Sequence, residues 1–214
     1  MAQTTPQLVE WEGDFGREYT SRNSLTPDQV DALWLKNFGV SRTALNQEFL
    51  GDIPKDARIL EVGCNLANQL TLLQRLGYQN LFGIEAQEYA LEETRSRVHG
   101  LNLIRGTAFD IPYKDNYFDL VFTAGVLIHI APDNLDQALS EIYRCTRRYI
   151  WGAEYFAPLT TEVKYHGHDA LLWKADYANE YRSRFSDLEL IREQKLPYLE
   201  NENVDSMFLL RKTR

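Results

Sequence analysis

From residue 58 onward, short apolar runs alternate with stretches whose hydrophobic residues recur every three or four positions. The runs "RILEV" (58–62), "NLFGIE" (80–85), "LNLIRG" (101–106), "FDLVFT" (118–123) and "RRYIWGAEY" (147–155) predict strands. Between them lie helical patterns: Leu70, Leu72, Leu73 and Leu76 ending at Gly77, then "QEYALEETRSRV", then "APDNLDQALSEIYRC" with Leu135, Leu139, Ile142 and Tyr143 on one face. A last helix, "DYANEYRSRF", precedes the strands "LELIREQKL" and "SMFLLRK". Only "PYLENENVD" separates those two strands, too short for a helical crossover, so they form a hairpin with an antiparallel final strand. The pattern predicts an α/β fold: a Rossmann-like, seven-stranded, mostly parallel sheet with an antiparallel last strand and helices on both faces.

Ahead of the alternation, two segments predict an N-terminal helical extension. "TPDQVDALWLKNFGV" has Thr26 as N-cap, Pro27 in the first turn, and Leu33, Trp34 and Phe38 at helical spacing. "SRTALNQEFLGDIP" runs from a cap at Ser41 to Gly51 and Pro54. "FGREYTSRN" (15–23) falls outside any periodic helix, and "GAEYFAPLTTEVKYHGHDALLWK" (152–174) begins on a strand and continues as a long irregular connection. With no repeat or linker, the chain divides into a 1–50 lid with helices and a 51–214 cofactor-binding region, one structural domain overall.

Composition narrows the partners. The 214 residues carry 23 basic and 31 acidic side chains, a formal charge of −8, which disfavours a phosphate backbone as substrate. Arg144, Arg147 and Arg148 cluster at a helix end, where they complement the helix dipole. No apolar run reaches a membrane span, and Cys64 and Cys145 match no metal or redox spacing. The expectation is a cytoplasmic protein with a small-molecule substrate, no nucleic acid or membrane partner, and an oligomeric state the residues leave open.

The chemistry centres on "ILEVGCNLANQL" (59–70), a strand, a turn and a helix start with one glycine, Gly63, and with Asn65 and Ala67 at the other expected glycine positions. Glu85 ends the second strand 24 residues after Glu61 (85 − 61), where a carboxylate accepts from both ribose hydroxyls of an adenosine. A pyrophosphate cofactor needs close backbone approach, and Asn65 intrudes on that space. S-adenosylmethionine (SAM), which has no phosphate, tolerates the loop, and the Asn65 and Asn68 amides are available to its amino-acid tail. Two other readings stay open: an NAD-dependent oxidoreductase, and a non-catalytic SAM-binding partner protein.

"ILEVGC", "LFGIE", "LIRGTAFDIPYKDNYFDLVFTAGVLIHI" and the closing "FLLRK" resemble the successive motifs of class I SAM-dependent methyltransferases. "FGREYTSRN", "EIYRCTRRYIWGAEYF", "LLWKADYA" and "ENENVDSMFLL" further resemble methylases associated with pseudaminic-acid biosynthesis, which implies a nonulosonic-type sugar or its precursor as acceptor. The resemblance implies that Glu61, Gly63, Cys64 and Asn65 shape the methionine end, that Glu85 binds ribose beside Ala86, and that Thr107, Ala108 and Phe109 follow the third strand near adenine. Thr107 stands where many relatives have Asp, leaving Asp110 or the Ala108 backbone as substitutes. Ala124 and Gly125 would lie under the sulfonium.

Methyl transfer from SAM needs in-line positioning and, for some acceptors, a proton acceptor. His129, just past the fourth strand, is the candidate base. Tyr19 is a second catalytic candidate, facing the sulfonium by cation–π contact, with Arg22 pairing the methionine carboxylate from a lid. The long connection offers Glu154, Tyr155, Lys164, Tyr165, His166, His168 and Trp173 to the acceptor. His166 and His168 form an HxH with no third ligand, so no metal is expected.

Overall fold

In the computed structural model, residues 4–213 are described. The first three residues of the predicted 1–50 segment and Arg214, the last of the 51–214 segment, lie outside them. Five parallel strands, β1 (Arg58–Val62), β2 (Asn80–Glu85), β3 (Asn102–Arg105), β4 (Phe118–Ala124) and β5 (Thr146–Tyr155), carry the sheet. β8 (Leu188–Pro197) and β9 (Val204–Lys212) complete it in the order β3-β2-β1-β4-β5-β9-β8, with β9 antiparallel to both neighbours. This is the predicted topology. Chain order reverses between β1 and β4, so their carboxyl ends open a crevice there.

Strand side chains alternate between two apolar layers. Along β9, Met207 and Leu209 face one layer while Phe208 and Leu210 face the other. The first layer is covered by α4 (Arg42–Leu50) and α5 (Asn68–Arg75), and the second by α7 (Pro132–Cys145) and α8 (Tyr177–Arg184). α6 (Glu88–Arg97) follows β2, and α3 (Pro27–Phe38) precedes α4. The caps are those predicted: Thr26 and Ser41 accept from Gln29 N and Ala44 N. Among the described residues, no helix is long and apolar enough to cross a membrane.

Three expectations are corrected. Leu33 faces out at 44% exposure, because Val30, Trp34 and Phe38 supply the inward stripe of α3. The arm is helical, as α1 (Pro6–Glu12) and α2 (Asp14–Arg22). Its stripe is aromatic: Trp11, Phe15 and Tyr19 recur every four residues among acids, and Trp11 meets the other two rings edge-on at 5.2 and 5.1 Å. The connection after β5 contains a short ribbon, β6 (Thr161–Glu162) with β7 (Trp173–Lys174). Tyr165 and His168 exchange backbone hydrogen bonds of 2.9 Å at its tip, and His166 (φ 49°) and Gly167 (φ 89°) fill a two-residue turn. Two successive positive φ values mark a hairpin turn usually written Asn-Gly, so "YHGH" is turn chemistry.

Candidate functional site

At the crevice, the amides of Gly63 and Cys64 both donate to the Ile84 carbonyl, at 2.9 and 3.0 Å, tying the β1 loop to β2. Gly63 sits at φ 71°, and a β-carbon there would approach Val126 Cγ2 to 2.7 Å, so only glycine fits. Asn65 (φ 44°) and Ala67 (φ 56°) are also left-handed. The loop therefore keeps a glycine-type backbone at all three positions with glycine at only one. Asn tolerates this conformation, whereas fully buried Ala67 holds it at a steric cost.

Glu85 clamps that loop. Its Oε2 accepts from Asn65 N at 2.8 Å and its Oε1 from Gln87 N at 3.0 Å. Burial pushes its pKa up, opposed by these amide bonds. Glu61 is 3% exposed, and its Oε2 has no hydrogen-bond partner among the described residues. Burial holds that carboxyl well above its usual range, with Arg42 pulling it back.

These groups line a cavity of about 250 Å³. Of the sequence candidates, Tyr19, Glu61, Gly63, Cys64, Asn65, Asn68, Glu85, Ala86, Thr107, Ala108, Phe109, Ala124, Gly125 and His129 all border it. Arg22 does not; it is exposed, with its charge acting on the Tyr19 and Tyr165 hydroxyls. Asp110 is exposed and off the cavity, and the Thr107 hydroxyl accepts from Phe109 N at 3.2 Å. The amide nitrogens of Asn65 and Asn68 are spent on the arm: Asn65 donates to Thr20 Oγ1 (2.8 Å) and Asn68 to the Asn23 carbonyl (3.0 Å). Thr20 passes its own hydrogen to Gln87 Oε1 at 3.2 Å, so the arm is pinned over the cavity. The sequence reading missed Trp11, Gln69, Gln87, Val126 and Ile130 in the lining. The aromatic spacing of Trp11 with Phe15 and Tyr19 was the signal available for the first.

A second cavity, about 200 Å³, adjoins the first and shares Tyr19, Gln69, Ala124, Gly125 and His129 with it. Glu154, Tyr155 and Tyr165 line it, joined by Trp34, Arg42 and Asp205, which no motif announces. Lys164, His166, His168 and Trp173 lie off both cavities. Lys164 is exposed and 3.8 Å from Asp169. The His166 and His168 rings pack on Phe15 at 6.3 and 5.4 Å, and Trp173 is buried, its carbonyl accepting from the Tyr177 hydroxyl. Among the described residues, no group of three or more His, Cys, Asp or Glu is arranged to hold a metal ion.

His129 stands between the cavities. Its Nδ1 lies 2.7 Å from the Leu171 carbonyl and therefore donates to it, leaving Nε2 as an acceptor in the neutral ring. Burial lowers its pKa to about 4. Trp11 packs at 4.5 Å from the imidazole. Across the second cavity, Glu154 Oε1 accepts from Val126 N at 3.2 Å, and burial raises its pKa to about 7.

The donor set fits a cofactor with an adenosine and a cationic tail. Glu61 offers an orphaned, buried carboxylate oxygen, the complement of an ammonium or sulfonium. Glu85, fixed by two amides at the tip of β2, keeps lone pairs for vicinal hydroxyls.

Comparison with known proteins agrees. Residues 60–149 match the family model of the methyltransferase domain. The chain is 31% identical over 99 residues to the demethylmenaquinone methyltransferase of Listeria welshimeri, covering 43% of this chain and 41% of that protein. It is 26% identical over 98 residues to a sterol 24-C-methyltransferase of Aspergillus fumigatus, covering 43% of this chain and 26% of that protein. The chain thus spans less than half of these relatives. Among solved structures, the 1,6-didemethyltoxoflavin-N1-methyltransferase of Burkholderia thailandensis, with bound 1,6-didemethyltoxoflavin and S-adenosylhomocysteine, superposes with a TM-score of 0.72 at 13% identity, over 100% of this chain and 93% of that one. The [4+2]-cyclase SpnF superposes with a TM-score of 0.61 at 15% identity, over 79% of each chain. The fold is the Rossmann-like α/β methyltransferase fold.

Proposed function

We propose that this protein transfers the methyl group of SAM to an oxygen or nitrogen of a small polar acceptor. The observation that carries this reading is the junction of the two cavities: an acid-tipped cofactor cavity opens onto a polar chamber across Gly125 and His129. SAM supplies an activated methyl with a neutral thioether leaving group. The chain supplies position and dryness. Glu85 holds the ribose end, Glu61 faces the positive tail, and the arm with Trp11 and Tyr19 excludes water.

The two titratable groups at the junction take different parts. His129, protonated only near pH 4, accepts a hydrogen bond from the acceptor's O–H or N–H through Nε2 and orients it. Glu154, at about 7, is matched to take up the proton at neutral pH. A nonulosonic-type sugar or its precursor suits the Tyr- and acid-lined chamber, and the sequence resemblance points the same way. The NAD alternative is disfavoured by the side chains at Asn65 and Ala67, where a pyrophosphate needs bare backbone.

Calorimetry with SAM and S-adenosylhomocysteine is the direct test, followed by label transfer from methyl-tritiated SAM to sugar and amine acceptors. Absence of binding by either compound overturns the reading. Binding without transfer to any acceptor favours the partner-protein alternative.

A further inference from the structure

Arg42, the first residue of α4, is 1% exposed at the edge of the second cavity. Its guanidinium is sandwiched between the rings of Trp34 and Trp151, at 4.4 and 4.9 Å. Among the described residues no carboxylate oxygen comes within 4.0 Å, and Nε and Nη2 have no hydrogen-bond partner. One turn along the helix, fully buried Asn46 also leaves both amide atoms unpaired. A buried charge is ordinarily paired, because an unpaired one costs several kcal/mol. This one is also placed at a helix N-terminus, where the dipole disfavours a cation. Burial lowers its pKa only to about 10, so it stays charged at neutral pH.

Glu61, Asp205 and Glu154 favour its charged form through space, yet none closes an ion pair with it within 4.0 Å. Glu154 is engaged with the amides of the turn after β4, and Asp205, 8% exposed, keeps Oδ1 unpartnered. Stacked indoles hold the guanidinium plane fixed, which preorganises its forked donors for two oxygens of one planar anion.

We propose that the second cavity receives an acceptor carrying a carboxylate, with Arg42 as its receptor. This rests on the methyl-transfer reading above, which it deepens by naming the chemical class of the acceptor. The carboxylate anchors against Arg42 at one end of the chamber, and the methylated atom lies toward Gly125 and His129 at the other. Asp205, beside the same charge, sets the strength of the anchor: its ionised form repels the ligand.

The test uses acetate, with acetamide as its neutral isostere and chloride to hold ionic strength. The arginine Nε–H signals of the 15N-labelled full chain are followed, with Arg42 assigned through Arg42→Lys. Acetate is expected to shift the Arg42 signal saturably and at least tenfold more tightly than chloride, while acetamide gives no saturable shift. Acetate binding at the wild-type affinity in Arg42→Lys, or no saturable shift in wild type, overturns the proposal. Asp205→Asn keeps the question answerable if the lysine variant does not fold. At pH 8 it should bind acetate at least threefold more tightly, and unchanged affinity refutes the assignment. S-adenosylhomocysteine is titrated in the same samples against the amides of Gly63 and Asn65. Its binding with no acetate effect overturns the carboxylate class alone; an acetate effect without it overturns the methyl-transfer reading and leaves an anion site.

Discussion

The two cavities meet at Gly125 and His129 but are built by opposite means. The first is made largely of strand tips and backbone: Glu85 is held by two amides, Gly63 and Cys64 are tied to Ile84, and the rings of Trp11 and Tyr19 close it from the arm. The second is made of rings and charges brought from α4, β5, β9 and the ribbon, with Arg42 and Asp205 only partly satisfied. The first cavity closes most of its polar bonds within the protein and leaves Glu61 Oε2 open. A chamber left with open donors and acceptors is one whose bonds are completed by its occupant.

That contrast can be broken at either side. The largest effect is expected from Glu154→Gln in the second cavity. Its carboxyl titrates near 7 in the fold against an ordinary value of 4.5, so the folded state binds the proton more tightly. The native state therefore loses stability as pH rises from about 4 to about 7, and carries the full penalty above that. Asp205, also raised to about 7, acts the same way, whereas His129, lowered to about 4, costs stability as pH falls from its ordinary 6.5. Glutamine removes only the first contribution. Denaturant titrations should show the variant gaining on wild type from pH 4 to 7, approaching about 3 kcal/mol at about 1.4 kcal/mol per unit. A gap that is flat with pH would refute the buried titration.

On the first side, Glu85→Ala removes the proposed ribose acceptor and unpins Asn65 N. Calorimetry should find S-adenosylhomocysteine affinity reduced by about 1.5–3 kcal/mol, the range for hydrogen bonds to a charged group. Wild-type affinity in this variant would move the adenosine elsewhere. Asn65→Ala breaks the link to Thr20 and should cost about 1 kcal/mol of the same affinity by loosening the arm, with proteolysis near residues 13–23 accelerated. The smallest effect belongs to Ala67→Gly. Relief of the left-handed strain, offset by the freer unfolded chain, should raise stability by up to about 1 kcal/mol in thermal unfolding. A clear loss would show that the methyl group's packing outweighs the strain.

Much of this protein is fixed by local sequence. Alternating apolar runs and helical stripes determine the sheet, its covering helices and the closing hairpin, since burial demands those periods and a short connection forbids a crossover. Glu61, Gly63 and Glu85 were legible because strand tips and their spacing place them at one crevice. Three matters waited for the tertiary structure. The arm's helices carry no ordinary apolar face, so their aromatic stripe gains meaning only against His129 and Phe15's neighbours in the ribbon. "YHGH" reads as an acceptor contact in the sequence, whereas its positive φ values show a turn. Arg42 and Asp205 lie 163 residues apart (205 − 42), and no local pattern can announce that two such residues line one chamber. Only packing of α4 and β9 at the same end of the sheet sets a buried guanidinium there, because charge placement between distant segments follows from the fold and not from periodicity.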